Sequence, residues 1–245
     1  MMMSSNDGST VLHADQEHSG LRTAVFGLLF VTLLLAYFGI RAIIGALNPR
    51  DMPDFTFIMA CGGSFPIALG TVWLAEKVMK RHWPSGRFVI LTSDGVQVQT
   101  KEEQPVQLNR VNEMEVLFWT FDLSGWQRGG HERRVPRSWI CLAAQISSGK
   151  NQAVVYTYSP KNKAQELMDT NDGQLNFHEI FPRELYDNSV RSRLSGPSRP
   201  ELPAAVLTGK SGQYWLAERR RWQEGFELPL IEFEQFLSHI QAKLL

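Results

Sequence analysis

Two long apolar runs near the start of the chain dominate its pattern of hydrophobic and polar positions. Residues 24–40 contain no charged side chain, residues 42–47 are apolar again after Arg41, and residues 55–75 form a second run. A helix crosses a bilayer core in about 20 residues and satisfies its backbone hydrogen bonds internally. The alternation with period two that marks a membrane barrel strand is absent from both runs. The pattern therefore predicts a transmembrane helical hairpin over residues 21–80.

The second apolar run contains a cluster of small residues followed by a proline. Glycine and serine let another helix approach closely, and a proline inside a helix removes a backbone hydrogen bond and kinks it. We expect this cluster to form a helix-packing surface, with the first helix and its Gly27 and Gly39 as the nearest candidate neighbour. The residues of the cluster are Gly62, Gly63, Ser64 and Pro66.

The basic residues around the two runs predict the orientation of the hairpin. A basic cluster follows the second run, whereas Arg50 alone is basic in the turn between the runs. Cytoplasmic segments of membrane proteins carry an excess of lysine and arginine, so we expect a protein of the cell membrane with both termini in the cytoplasm. Arg41, in the final third of the first helix, is expected to reach toward the headgroups. The basic cluster consists of Lys77, Lys80, Arg81 and Arg87.

Residues 1–20, which precede the first run, are polar and include acidic side chains but no lysine or arginine. This composition has too little apolar surface to offset chain entropy, so we expect a disordered tail. A cleaved signal peptide would have a basic start and a shorter apolar core. The first apolar segment is therefore predicted to be retained as a membrane anchor.

From about residue 86 the pattern changes to short β-like runs separated by turns. Two pairs of runs flank turns that contain glycine, and each pair predicts a β-hairpin. The runs are residues 88–92, 96–100, 106–108, 111–121, 138–147 and 152–159. Residues 160–168 then begin like a helix, with a proline in the first turn. These features predict a soluble α+β domain over residues 86–170.

The order of these segments resembles membrane-anchored bacterial PH-like domain proteins. The resemblance is carried by FVILTSDGV at residues 88–96, by PVQLNRV at 105–111, and by a strand at 154–159 that runs into PKNKAQELM. It implies a small, strongly bent antiparallel β-barrel closed at one end by a C-terminal helix. Such domains are binding or scaffold modules without shared catalytic residues. The predicted fold is thus a membrane α-helical hairpin plus a PH-like antiparallel β-barrel capped by a C-terminal helix.

The chain after residue 170 departs from that pattern. Residues 171–228 are predicted to be an irregular extension, whereas residues 229–245 predict an amphipathic helix because six apolar side chains share one helical face. These side chains are Leu230, Phe233, Phe236, Leu237, Ile240 and Leu244. Either this helix or residues 160–168 closes the barrel, and the longer apolar face favours the last helix.

The charge balance and the spacing of reactive side chains bound the chemistry. Lysine plus arginine equals aspartate plus glutamate at 25 each, so no overall charge attracts nucleic acid. Cys61 and Cys141 are predicted to be small buried side chains, and the six histidines show no metal-binding spacing. The segment 209–211 ends like a phosphate-binding loop but has Ala204 where that loop needs glycine. We therefore predict no catalytic residue, no cofactor and no metal.

Two basic clusters remain as candidates for contact with anionic lipid headgroups or with a partner protein. A basic surface near a membrane gains about 1 kcal/mol per charge from such headgroups. The alternative is a solvated loop for the first cluster and a helix face paired with Glu218 and Glu224 for the second. The clusters are Arg133 with Arg134, and Arg219, Arg220, Arg221 with Trp222.

Two classes of function follow from the sequence. One is a membrane-tethered cytoplasmic recognition or scaffold module, non-catalytic, that binds a protein, a peptide or a lipid headgroup. The other is an accessory subunit whose hairpin packs against other helices of a larger integral membrane complex. In both classes the expected partners are the lipid bilayer and another protein, and not nucleic acid.

Overall fold

The computed structural model describes residues 9–16, 18–47, 53–101, 104–109, 114–124, 135–170, 175–182, 185 and 201–243. These residues form two compact units. One is a helical hairpin within residues 17–84, and the other is a sheet unit that joins the chain up to residue 16 to the chain from residue 85 onward. The hairpin is therefore an insertion between two segments of the sheet unit.

The hairpin consists of helix α1, Ser19–Leu47, and helix α2, Pro53–His82. Both helices are long and apolar enough to cross a membrane. Most of the large apolar side chains that are exposed in the described chain lie on them, and Leu35 and Phe57, for example, are more than half exposed. A helix that faces water rarely carries so large an apolar surface. The prediction of two long apolar helices in this part of the chain is confirmed.

The first sheet of the sheet unit begins with a strand that the sequence did not predict. Strand β1, Thr10–His13, pairs antiparallel with strand β2, Phe88–Thr92, and Leu12 lies opposite Val89. Both of these side chains are buried. The prediction of a disordered tail over residues 1–20 is therefore wrong for β1, because a partner strand far along the chain stabilises a segment whose own sequence carries little signal.

Two more strands complete this sheet in the order β1-β2-β3-β4, with all neighbours antiparallel. They are β3, Gly95–Gln99, and β4, Val106–Asn109. Strands β2 and β3 form the first predicted hairpin, in which Thr92 lies opposite Gly95.

The second sheet has three long antiparallel strands at its centre and a two-residue parallel strand at each edge, in the order β8-β5-β6-β7-β9. Strands β6 and β7 form the second predicted hairpin, and Gly149 in their turn has φ +60°, which glycine adopts without strain. The strands are β5, Met114–Asp122; β6, Trp139–Ser148; β7, Asn151–Pro160; β8, His178–Glu179; and β9, Phe226–Glu227.

Four helices of the described chain accompany the two sheets. They are α3, Lys161–Thr170; α4, Ala204–Leu207; α5, Gly212–Glu224; and α6, Leu230–Lys243. Since β8, β9, α4 and α5 all lie within residues 171–228, the described part of that segment contains regular elements and is not the irregular extension that the sequence predicted.

The main hydrophobic core joins both sheets to α6. Val96 and Leu108 enter it from the first sheet, and Leu142 and Val155 enter it from the second. Helix α6 adds Phe233, Phe236, Leu237 and Ile240, each at most 1% exposed. The buried contribution of α3 is Ala164. Helix α6 thus contributes more buried side chains to the core than α3 does, as its longer apolar face predicts.

The strands do not close into a barrel. Among the described residues, each strand of the first sheet is hydrogen-bonded within that sheet, and the same holds for the second. At the edges of the second sheet, β8 and β9 each pair with two residues of a longer strand. The described part of the sheet unit is therefore an arrangement of helices and two sheets around a shared core without a closed β-barrel, so the predicted PH-like β-barrel is not confirmed.

The second sheet is buried on both faces. Leu142 and Ala144 of β6 point into the main core, whereas Cys141 and Ala143 point into a second core that includes Trp215 of α5. Burial on both faces explains why the sequence of β6 is an almost continuous apolar run rather than an alternating one. Cys141 is 0% exposed, which confirms its prediction as a core side chain.

Candidate functional site

Small residues at every fourth position of α2 are buried in the hairpin. Ala60, Ser64, Ala68 and Val72 are at most 8% exposed, and 3.6 residues per turn place them along one face of the helix. Ser64 Oγ donates a hydrogen bond to the carbonyl oxygen of Cys61 at 2.9 Å, which satisfies the hydroxyl in apolar surroundings. Small side chains of this kind let two helices approach closely.

The predicted helix-packing cluster of residues 62–66 does not lie on one face of α2. Part of it lies on or beside the buried face that carries Ser64, and part lies on the opposite, exposed face. A Cβ on Gly63 would lie 3.0 Å from Cδ1 of Ile40 on α1, so Gly63 is a position of close approach. Gly62 and Pro66 are exposed, and a Cβ on Gly62 would meet nothing within 4 Å. Two helical residues correspond to a rotation of about 200°, which turns Gly62 away from Ser64. The two glycines predicted as neighbours, Gly27 and Gly39, also face open space.

A groove lies between α1 and α2, near the start of α1 and the end of α2, with a volume of about 270 Å³. Three charged side chains line it, Arg22, Glu76 and Lys80. Lys80 Nζ and Glu76 Oε1 form an ion pair at 2.8 Å, one helical turn apart. The rest of the lining is apolar and consists of Leu21, Val25, Phe26, Leu29, Leu69 and Val72. The groove thus has an apolar lining along most of its length and charged side chains, Arg22, Glu76 and Lys80, at one end.

The predicted basic clusters do not form one surface in the described chain. Arg133 and Arg134 lie outside the described residues. On α5, Arg221 is 1% exposed, Arg220 donates a hydrogen bond to Gln145 Oε1 at 2.9 Å, and Arg219 is exposed. Consecutive helical residues are rotated by about 100°, so three adjacent arginines cannot share one face. Trp222 is half-buried. The buried Arg221 therefore cannot reach a headgroup or a partner, whereas contact at Arg219, Arg220 and Trp222 stays a prediction.

Arg221 belongs to a polar cluster inside the second core. Its Nε and Nη2 donate hydrogen bonds to Oε2 and Oε1 of Glu218 at 2.7 and 2.8 Å, and its Nη1 donates to Tyr158 Oη at 3.2 Å. Trp119 Nε1 donates to Glu218 Oε2 at 3.1 Å, and the guanidinium lies 4.6 Å from the ring centre of Tyr156. The sequence signal for this cluster was the spacing of Trp215, Glu218 and Arg221 on one helical face. Both charges are thus satisfied by structural partners inside the protein.

Arg87 joins the segment before the hairpin to the segment after it. Its Nη1 donates hydrogen bonds to Asp15 Oδ2 at 2.5 Å and to the carbonyl oxygen of Gly225 at 3.0 Å. Its Nη2 donates to the carbonyl oxygen of Glu224 at 2.5 Å, and the guanidinium lies 4.1 Å from the ring centre of Phe226. One side chain therefore connects the residues beside β1, the start of β2 and the end of α5.

Glu232 makes a second connection, between β1 and α6. The backbone N–H of His13 donates a hydrogen bond to Glu232 Oε2 at 2.7 Å, and Gln16 Nε2 donates to Oε1 at 3.4 Å. Burial raises the pKa of the Glu232 carboxyl above its usual value, although the hydrogen bond and the charge of His13 act in the opposite direction. The folded protein therefore holds this proton to a higher pH than the unfolded chain does.

We expect Glu232→Gln to remove one component of the pH dependence of stability. Because the folded-state pKa is raised, the wild-type protein loses stability as the pH rises from the ordinary glutamate value of 4.5 through the higher folded value. Glutamine keeps an acceptor for the His13 N–H but does not titrate. Melting temperatures of the full-length protein in detergent between about pH 4 and pH 8 measure the difference.

The control for this experiment is Glu234→Gln, which changes an exposed carboxylate on the same helix. It should leave the wild-type pH profile in place. If the melting temperature of Glu232→Gln also depended on pH as that of the wild type does, the raised pKa of Glu232 would not contribute to the pH dependence of stability.

His178 and Ser211 form a contact that the sequence did not reveal, since the two residues are far apart in the chain. His178 Nε2 and Ser211 Oγ lie 3.0 Å apart, and the imidazole stacks on Tyr214 with ring centres 4.0 Å apart. The contact joins β8 to the start of α5. A structural role, in which the two side chains hold β8 against the start of α5, explains why His178 and Ser211 are in contact.

In the part of the chain that the structure describes, no group of three or more His, Cys, Asp or Glu side chains is placed to hold a metal ion. Comparisons of the chain with protein-family models, with curated proteins and with solved structures found no match. The resemblance to PH-like domain proteins therefore stays a prediction.

Proposed function

We propose that this protein is a membrane-anchored, non-catalytic recognition or scaffold module, whose sheet unit is a PH-like domain that binds a protein, a peptide or a lipid headgroup in the cytoplasm. The observation that carries the proposal is the pairing of β1, which precedes the hairpin, with β2, which follows it. Since both strands belong to one sheet, the chain must enter and leave the hairpin on the same side. Two helices that cross a bilayer and return meet this requirement.

The same pairing supports retention of α1 as an anchor. Removal of α1 as a leader would also remove β1, and with it Leu12 and Ala14, which are buried in the main core. It would also remove Asp15, the carboxylate partner of Arg87. A sheet unit that needs the residues before α1 favours a first helix that stays in the mature chain.

The cytoplasmic orientation rests on the basic residues at the end of α2. Lys77, Lys80 and Arg81 lie there, against Arg50 in the segment between the helices. Arg87 pairs with Asp15 inside the sheet unit, but the orientation rule counts lysine and arginine rather than net charge. The excess therefore supports a sheet unit on the cytoplasmic side.

A role in binding rather than catalysis is supported by how the buried and partly buried charges of the described chain are used. The Glu218–Arg221 pair closes a core, and Arg87 and Glu232 join β1 to the elements around it. Two antiparallel hairpins and a helix whose apolar face is buried in the core also fit a PH-like domain. These contacts stabilise a rigid platform on a membrane anchor.

Purification in a mild detergent followed by mass spectrometry tests the proposal. We expect the full-length protein to be recovered from the membrane fraction without stoichiometric integral membrane subunits. Recovery from the soluble fraction would contradict membrane anchoring. Stoichiometric membrane subunits would instead favour the second candidate function.

The second candidate is an accessory subunit of a larger membrane complex, and the outward glycines favour it. Gly27, Gly39, Gly62 and Gly70 lie on the two helices with open space where a Cβ would be, so another helix could approach there. In this case Gly62→Leu should remove the partner subunits and leave the hairpin folded. Gly63→Leu should instead disturb the hairpin itself, because the side chain would meet Ile40.

A further inference from the structure

We propose that the groove between α1 and α2 binds one anionic glycerophospholipid, with an acyl chain along its apolar lining and the phosphate beside Arg22 and Lys80. This inference rests on the proposed function in one respect, namely that the hairpin spans a membrane. It adds a ligand site to a part of the protein that the proposed function treats as an anchor.

The dimensions of the groove match one leaflet. Residues 21–29 of α1 span about 12 Å and residues 69–80 of α2 about 16 Å, at 1.5 Å per residue. The hydrocarbon core of a bilayer is about 30 Å thick, so each leaflet contributes about 15 Å. A lipid chain that runs along the helices from the headgroup depth would follow the groove over this length.

The order of side chains along the groove matches the order of groups in a lipid. Leu29 and Leu69 lie toward the middle of the helices, whereas Arg22 lies near the start of α1 and Lys80 near the end of α2. The charged end is therefore at the depth of the headgroups and the apolar part is at the depth of the acyl chains. Basic residues between membrane helices bind anionic headgroups in this way.

The balance of charge favours an anionic lipid over a zwitterionic one. Arg22 and Lys80 contribute two positive charges to the lining and Glu76 contributes one negative charge. Glu76 lies 2.8 Å from Lys80, and positive side chains outnumber negative ones in the lining. Such a lining attracts a headgroup with a net negative charge more strongly than a zwitterionic headgroup.

The volume of the groove favours a lipid chain over a helix of another protein. A helix has a diameter of about 10–12 Å with its side chains, so a 12 Å length of it occupies roughly 1,000 Å³. The groove offers about 270 Å³. A single acyl chain is the narrower occupant and can lie between the two helices.

Native mass spectrometry of the full-length protein in detergent tests the proposal. The protein is mixed with equal amounts of phosphatidylglycerol, phosphatidylethanolamine and phosphatidylcholine, and the lipids that remain bound are counted. We expect one phosphatidylglycerol on the wild-type protein. Arg22→Gln combined with Lys80→Gln should weaken its binding about 30-fold, because two charges at about 1 kcal/mol each convert at 1.4 kcal/mol per tenfold change.

The control variant combines Arg41→Gln with Lys77→Gln, which removes the same charge from the same two helices outside the groove. It should bind phosphatidylglycerol as the wild type does. Arg22→Lys, which keeps the charge, should also retain binding. If the first double variant fails to insert, Val25→Trp takes its place, because an indole in the lining should displace the acyl chain.

Four results would overturn the proposal. In the first, the control variant loses as much phosphatidylglycerol as the Arg22 and Lys80 variant does. In the second, the Arg22 and Lys80 variant or Val25→Trp retains as much phosphatidylglycerol as the wild type. In the third the wild type prefers a zwitterionic lipid, and in the fourth a protein is bound in place of the lipid. Each of them leaves the membrane anchor itself in place, whereas recovery of the wild-type protein from the soluble fraction would refute the anchor. The two failures are therefore distinguishable.

Discussion

Replacing Arg221 with methionine is expected to lower the free energy of unfolding of the sheet unit by about 3–5 kcal/mol, because it leaves the Glu218 carboxylate buried without its charged partner. Both side chains are 1% exposed, so the carboxylate cannot turn toward water. Tyr158 and Trp119, which complete the cluster, lack the positive charge that would balance it. Denaturant unfolding of the full-length protein in detergent, followed by tryptophan fluorescence, measures this loss.

Two variants make the Arg221 experiment specific. Arg219→Met changes the exposed arginine of the same triplet and should alter stability by no more than about 0.5 kcal/mol. Glu218→Leu added to Arg221→Met should recover much of the loss, since an apolar pair of similar volume can replace a buried ion pair. An effect of Arg221→Met as small as that of Arg219→Met would show that the pair is not buried.

The second large effect is expected at Phe236, where alanine should cost about 3–5 kcal/mol of unfolding free energy. Phe236 is 0% exposed, and its ring centre lies 5.9 Å from that of Phe233 in the core between both sheets and α6. The substitution removes a large side chain from a site enclosed by strands, which cannot move far to fill the cavity. The same unfolding measurement applies.

Ile231→Ala is the control for Phe236, because Ile231 lies on the same helix and is 70% exposed. We expect it to change the free energy of unfolding by no more than about 0.5 kcal/mol. A similar near-zero effect at Phe236 would contradict the docking of α6 on the two sheets.

The elements that the sequence predicted well have local signals. Uninterrupted apolar length identifies α1 and α2, and the spacing of Phe233, Phe236 and Ile240 identifies α6 together with its buried face. Two apolar runs on either side of a glycine-containing turn identify the hairpin of β6 and β7. In each case neighbouring residues along the chain decide the structure.

The elements that it missed depend on residues distant in the chain. β1 is a short segment whose pairing requires β2 on the other side of the hairpin. Strands β8 and β9 are two residues long and form only where a longer strand offers its edge. Such pairing is not encoded in local periodicity, and the β-barrel was expected from the resemblance to PH-like domain proteins.

The candidate site shows the same division between local and distant information. Small residues predicted that α2 packs closely, but the choice between Gly62 and Gly63 required the rotation of the helix against α1. Three adjacent arginines suggested a basic surface, yet helical rotation buries Arg221 and exposes Arg219. The residue types indicated which kind of contact a helix makes. Which residue makes that contact depends on the helical face on which the residue lies.

Cysteine labelling in intact cells tests the central claim most directly. Starting from the protein with Cys61 and Cys141 replaced by alanine, single cysteines are placed at Thr10 in β1, at Asp51 between the helices, and at Lys150 between β6 and β7. We expect an impermeant thiol reagent to label Asp51→Cys in intact cells, and to label Thr10→Cys and Lys150→Cys only after permeabilisation. Labelling of Thr10→Cys and Lys150→Cys on opposite sides of the membrane would contradict the pairing of β1 with β2 across the hairpin, and labelling of both in intact cells would contradict the cytoplasmic orientation.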